Sequence, residues 1–290
     1  RVLSSNVDAA EYTGENDHLR SLNHNGFTLD NNSDTTFYVN RNSNTYVAWC
    51  WKAGGAAVSN SNGSITSSVS ANQDAGFSIV TFTGNGSAGS TIGHGLSKAP
   101  DVVITKRRNS AQAWFTHHKD IPNGHYLRLN ADNAPGGDTN VYPNNMSTTN
   151  TFAVGGDDGV NGNGSTYVSY CWHSVPGYSK FGSYVGTGAQ PGTFLDLGFK
   201  PAMIIVKRNA SEDWVIVDFQ RTTNDGGNPR QVYLRASGNN AEGSGVIYDL
   251  TSNGVRFNNT SQNESGQTYY YLAWADEVGI TPFGSQVTAG

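Results

Sequence analysis

The chain has 290 residues, of which 14% are charged, and a net charge of -5 at pH 7. That length suffices for a buried core and suggests roughly two domains, whereas the acidic balance and the lack of any basic run argue against wrapping nucleic acid, which needs a positive stripe to neutralise phosphates. With 35 glycines and 11% aromatics, and with Asn, Ser and Thr filling much of the rest, the composition disfavours helices and suits short strands joined by tight turns.

In chain order, Arg1-Val2-Leu3-Ser4 is not a signal peptide and no initiating Met is present, so a fragment or processed product is expected. No apolar stretch is long enough to span a bilayer. Val2-Leu3 followed by Ala10-Glu11 has the spacing of Tyr233-Leu234 followed by Ala241-Glu242. The chain therefore enters its first module midway. Strands equivalent to residues 77–82 and 102–106 are missing from that module, and half a sandwich cannot cover its own apolar face. Either upstream residues or another chain would have to complete it.

The strongest repeat signal is Thr45-Tyr46-Val47-Ala48-Trp49-Cys50-Trp51. It returns as Thr166-Tyr167-Val168-Ser169-Tyr170-Cys171-Trp172 and as Thr268-Tyr269-Tyr270-Tyr271-Leu272-Ala273-Trp274. An Asn precedes each Tyr at the same distance: Asn40, Asn161 and Asn263. Three further pairs follow in one order: Phe82-Thr83-Gly84 with Tyr184-Val185-Gly186, Pro100 to Lys106-Arg107 with Pro201 to Lys207-Arg208, and Tyr126-Leu127-Arg128 with Tyr233-Leu234-Arg235. Such self-similarity predicts an all-β chain of tandem β-sandwich, jelly-roll-like modules. The expected units are an incomplete first module over 1–54, a polar linker over 55–75 in which Ile65 and Val69 pair locally at most, complete modules over 76–176 and 177–279, and a tail over 280–290.

Pleat parity divides each repeated strand into two faces. One carries Val47, Trp49 and Trp51, then Val168, Tyr170 and Trp172, then Tyr270, Leu272 and Trp274, and reads as module core. The other carries Tyr46, Ala48 and Cys50, then Tyr167, Ser169 and Cys171, then Tyr269, Tyr271 and Ala273. It is too weakly polar for a face in water. Either a loop of the same module covers it, or Tyr46, Cys50, Tyr167, Cys171, Tyr269 and Tyr271 belong to an interface with another module or subunit. Cys50 and Cys171 hold equivalent places in separate modules, which favours two buried free thiols over a disulfide.

No catalytic motif stands out. Asp157-Asp158, Glu212-Asp213 and Asp276-Glu277 are sequence neighbours that would point apart on strands, and His117-His118 would likewise face opposite ways. There is no zinc-binding spacing and no nucleophile elbow. The segment from Gly155 to Gly164 looks like a calcium loop but lacks oxygen ligands at alternating positions, so turn-forming Asx chemistry explains it better. No metal or cofactor is implied. Lys106-Arg107-Arg108 and Lys207-Arg208 end apolar strands, where charges guard against edge pairing. Arg107 with Trp114, and Arg208 with Trp214, would also suit a sugar ring if the indoles are exposed, one group stacking and the other donating hydrogen bonds. If buried, both tryptophans are core.

With the repeat laid out, the chain resembles a module of phage tail fibre and tailspike proteins, especially of marine and cyanobacterial phages. The resemblance rests on residues 45–51 with Lys52-Ala53-Gly54, Asn62-Gly63-Ser64-Ile65-Thr66, residues 76–86, Gly93-His94-Gly95-Leu96 through Ala99-Pro100, residues 166–172 and residues 177–184. It covers nearly the whole chain. It implies a host-facing virion tail part, homotrimeric, in contact with other tail proteins and with host surface polysaccharide. The expected function is structural and receptor-binding, without catalysis, nucleic acid or membrane insertion. A polysaccharide depolymerase and a cellular adhesin or filament subunit are the competing readings.

Overall fold

A computed structural model describes residues 1–12, 19–29, 39–40, 43–218, 221 and 230–275. The proposed tail, the end of the third module and the Asp276-Glu277 pair lie outside the described residues. The described chain is nearly all β. Among the described residues no helix is long and apolar enough to cross a membrane.

In the first module, β1 (Leu19–Asn23) and β2 (Gly26–Leu29) form an exposed antiparallel hairpin. The second module contains β3 (Val58–Asn60), β4 (Ser67–Asn72), β5 (Phe77–Thr83), β6 (Ser90–Gly93), β7 (Val102–Arg107), β8 (Trp114–His118), β9 (His125–Arg128), β10 (Gly136–Gly137), β11 (Thr151–Val154), the single-turn α1 (Asp158–Asn161) and β12 (Thr166–Trp172). The third contains β13 (Ser179–Val185), β14 (Phe194–Asp196), β15 (Pro201–Arg208), β16 (Val215–Asp218), β17 (Arg230–Arg235), β18 (Gly243–Thr251), β19 (Gly254–Phe257) and β20 (Thr268–Ala275).

The two complete modules share strand order and register. One sheet runs β9-β8-β7-β12-β5, the other β17-β16-β15-β20-β13. Tyr167 stands opposite Arg107, and Tyr269 opposite Arg208. A second layer, β6-β11 in one module and β18-β19-β14 in the other, closes each sandwich. Residues 55–75 are not a linker: β4 pairs along β5 and β3 along β4, extending the sheet of the second module. Ile65 and Val69 join its core, and the Ser67 hydroxyl donates to the Gly93 carbonyl at 2.8 Å.

Residues 45–51 lack the expected strand pairing. β12 lies between β5 and β7, and β20 between β13 and β15. Among the described residues no strand occupies either flank of residues 45–51.

The burial pattern reverses the expected roles of the two strand faces. Tyr167 and Cys171 lie in the core of their own module with Val80, Phe82, Phe115 and Phe152. Tyr269, Tyr271 and Ala273 do the same with Ile204, Tyr248 and Phe257. The bulkier face carrying Trp172, Leu272 and Trp274 instead forms a third core shared between modules, against which Leu3, Trp49 and Trp51 of the first module pack. At its centre the equivalent tryptophans of the three repeats meet. Trp51–Trp172, Trp51–Trp274 and Trp172–Trp274 have ring centroids 6.2, 5.2 and 6.3 Å apart. The three modules thus share one core, in which these tryptophans touch one another. Tyr46 and Cys50, whose equivalents are buried, are exposed, and both cysteines are free. Cys50 was expected to be buried; it is not, and among the described residues no strand pairs along residues 45–51 as β5 and β7 pair along β12 over Cys171.

Candidate functional site

The recurrent Asn and Tyr build one corner in each complete module. Asn161 is fully buried. Its Nδ2 donates to Asn85 Oδ1, the Ser87 carbonyl and the Gly155 carbonyl, and its Oδ1 accepts from Asn85 N at 3.0 Å. Asn263 repeats this, accepting from Thr187 N, Thr193 N and the Thr193 hydroxyl while donating to the Ala189 carbonyl. The Tyr167 hydroxyl donates to the Asp158 carbonyl at 2.6 Å and accepts from Gly162 N. The Tyr269 hydroxyl donates to the Ser261 carbonyl and accepts from Glu264 N. These are tyrosine corners, which tie the start of a strand to the loop before it. In the calcium-like segment, Asp157 caps α1 by accepting from Gly159 N, and Asp158 pairs with Arg107. Among the described residues no group of three His, Cys, Asp or Glu is placed to hold a metal ion.

The two Arg–Trp pairs do not form sugar platforms. Trp114 is 5% and Trp214 1% exposed, so neither indole offers a face. Each belongs to the inter-module core and ties its module to the one before. Trp114 Nε1 donates to the Ser4 carbonyl at 3.0 Å, and Trp214 Nε1 to the Arg128 carbonyl at 2.9 Å. Arg107 is held by Asp158, and Arg208 by Glu264 at 2.7 Å and Glu212 at 3.6 Å. Lys106 and Lys207 do not guard strand ends either. Both are fully buried and reach across modules, Lys106 Nζ to the Asp8 carbonyl and Lys207 Nζ to the Asp132 carbonyl. Burial lowers both from the usual lysine range to about 8, since desolvation disfavours the ammonium. The repeat had placed these residues correctly in the module, but its partner surface is invisible from within one repeat.

His117 and His118 do face opposite ways. His117 lies against Tyr142 of its own module, and His118 against Tyr270 of the third.

The inter-module core leaves an apolar cavity of about 340 Å³, with Trp49, Trp51, Trp114, Trp172, Trp214 and Trp274 in its lining. It offers few polar groups to orient a ligand. A different cleft, of about 210 Å³, opens on the third module and is lined by Glu212, Asp213, Tyr233, Arg235, Ser244, Asn259, Ser261 and Gln262. Tyr233 and Arg235 are two apart on β17, which puts them on one face. The guanidinium lies 4.9 Å from the Tyr233 ring centroid, donates to its hydroxyl at 2.7 Å and pairs with Asp213 at 2.6 Å. Gly243 abuts the ring, and a Cβ there would come within 2.5 Å of it. Asn259 Nδ2 donates to Gln262 Oε1, while Asn259 Oδ1 is buried with no hydrogen-bond partner. Glu212 and Asp213, which would point apart on a strand, lie in the loop before β16 and both line this cleft. The cleft thus combines an aromatic ring, a planar cation and planar amides, a set suited to neutral polyhydroxyl ligands. Sequence reasoning recorded Tyr233 and Arg235 only as repeat markers, although their spacing already placed them side by side.

A family model described as "Domain of unknown function (DUF7483)" matches residues 1–278, and the chain belongs to that family. No curated protein and no solved structure matches the chain.

Proposed function

We propose, for this member of the DUF7483 family, a structural and receptor-binding role in a phage tail fibre or tailspike-like appendage, host-facing on the virion tail and binding surface glycan without catalysis. The observation that carries the glycan reading is the cleft where the Tyr233 ring, the Arg235 guanidinium and the Asn259 and Gln262 side chains come together. Its amide and charged groups accept from and donate to sugar hydroxyls, while the ring offers a face to the C–H side of a sugar. The appendage reading draws support from the repetition itself, in which successive modules of one chain pack on a shared apolar core. A homotrimer, contacts with other virion tail proteins, and host polysaccharide as ligand are parts of this proposal. Tyr167, Cys171, Tyr269 and Tyr271, the interface candidates of the complete modules, lie in the cores of their own modules, so a homotrimer would use other surfaces.

The test is binding of the purified chain to polysaccharide extracted from candidate host cells, followed by calorimetry. Asn259→Ala and Arg235→Ala are expected to weaken binding by about tenfold or more, roughly 1.4 kcal/mol, with the fold retained by circular dichroism. Equal binding by both variants overturns the site.

A depolymerase is the second reading, favoured by two carboxylates in one cleft. Both are engaged by arginines, Glu212 by Arg208 and Asp213 by Arg235. Incubation with the same polysaccharide is expected to release no reducing ends. Release that is lost in Glu212→Gln or Asp213→Asn would establish the enzyme instead.

A further inference from the structure

Building on the glycan reading above, we infer that the cleft of the third module takes one uncharged, six-membered sugar ring, and that Val215 is the residue that opens it.

The two complete modules share a frame at this corner. Tyr126 and Arg128 stand on β9 as Tyr233 and Arg235 stand on β17, and each guanidinium donates to its phenol, at 3.3 Å and 2.7 Å. Gly136 pairs with Tyr126, and Gly243 with Tyr233. A Cβ on either glycine would come within 2.9 Å or 2.5 Å of the tyrosine ring. A frame common to both modules does not account for a cleft in one of them.

What differs is the side chain that the frame encloses. Phe115 pairs with Arg128, and Val215 with Arg235. The Phe115 ring is buried, lies 5.8 Å below the Arg128 guanidinium and touches α1 so closely that a Cβ on Gly159 would come within 2.2 Å of it. Counted back from Asn161 and Asn263, Gly159 and Val160 correspond to Ser261 and Gln262. Ser261, Gln262 and Val215 all line the cleft. The second module therefore fills this corner with an aromatic ring against bare backbone and a buried valine. The third module has a smaller side chain there, and a hydroxyl and an amide beside it.

Size and charge set the class of ligand. A cavity of about 150 Å³ holds benzene, so the cleft's volume of about 210 Å³ suits one six-membered ring with its hydroxyls. Its lining carries the Glu212 and Asp213 carboxylates against the Arg235 guanidinium, which already pairs with Asp213. At the two places before its own tryptophan the second module has Gln112 and Ala113. An acidic sugar entering the cleft would meet like charge while the cation is engaged. A neutral sugar finds acceptors in the carboxylates and both donors and acceptors in Ser244, Ser261 and Gln262.

The experiment is titration calorimetry of the full chain with oligosaccharides released from the polysaccharide of candidate host cells and separated into neutral and acidic fractions. The unmodified chain is expected to bind the neutral fraction at least about tenfold more tightly than the acidic one. Val215→Phe, which gives the third module the residue of the second, is expected to weaken neutral binding by at least about tenfold. Where that variant does not fold, Ser244→Phe, on an exposed residue of the cleft lining, is expected to weaken it as much. Neutral binding left intact in whichever variant folds overturns the assignment of this cleft, while a glycan site elsewhere on the chain stands. Tighter binding of the acidic fraction overturns the ligand class alone. Binding of neither fraction overturns the glycan reading itself.

Discussion

Asn161 shows how a short polar residue in a Gly-rich loop becomes structural. Four hydrogen bonds converge on a side chain with no exposure, so replacing it strands several buried groups at once. Asn161→Ala is expected to cost about 2–3 kcal/mol, read as a lower urea midpoint with unchanged slope, while Asn163→Ala, on an exposed neighbour, stays within about 0.5 kcal/mol. Equal effects would remove the keystone role. The Asn and Tyr positions were legible in the sequence because they repeat at fixed spacing and because polar turns need side-chain acceptors. The burial of Trp114 and Trp214 was left open there, since a tryptophan beside arginine suits a sugar site and an interface equally well. What decided it was the carbonyl of a preceding module within reach of each indole N–H, a distance that no spacing within a repeat reports.

At the level of the element, β8 carries a pH dependence. Its last two residues are histidines on opposite faces, His118 buried and His117 partly buried, and desolvation lowers each from about 6.5 to about 4. His118 uses both nitrogens in the neutral form, Nδ1 accepting from Asp120 N and Nε2 facing the Tyr271 carbonyl at 3.4 Å. Between pH 6.5 and 4 the unfolded chain therefore binds more protons than the folded one. Stability rises with pH across that window and is lost as pH falls through it. The loss is on the order of 3 kcal/mol per histidine at full effect. Thermal melts from pH 7 to 4 are expected to show a falling Tm whose slope shrinks in His118→Asn, and a flat profile would refute the assignment. Below that window Glu11, held low chiefly by the Arg108 guanidinium, acts in the same direction. The alternation of β12 and β20 was read correctly as two apolar faces, and the opposed histidines followed from the same parity. Which face meets its own module was not legible, because both are apolar and the choice rests on how whole modules pack.

Across the whole molecule the repeat made the modules visible, but not their arrangement, since identical units are compatible with a string, a stack or a ring. One shared core sets that arrangement. Each complete module also keeps a private core, one around Tyr167 and Phe152, the other around Tyr269 and Phe257. The shared core, with Trp172 stacked on Phe77 at 5.0 Å and set edge-on against Trp51 and Trp274, is expected to make the modules unfold together. Trp172→Ala removes a large buried ring beside a cavity already about 340 Å³ in size, where little can collapse to refill the space. A loss of about 3–5 kcal/mol is expected for such a truncation, and it falls on the contact between modules more than on either private core. Calorimetry is expected to give one transition for the unmodified chain and two for Trp172→Ala. Tyr167→Phe, which removes a corner hydrogen bond inside one private core, is expected to lower the first transition by about 1–2 kcal/mol without splitting it. If Trp172→Ala melts in a single transition, the shared core does not couple the modules. If Tyr167→Phe splits the transition as well, the modules were only weakly coupled from the outset, and the tryptophans fix their orientation without making them one folding unit.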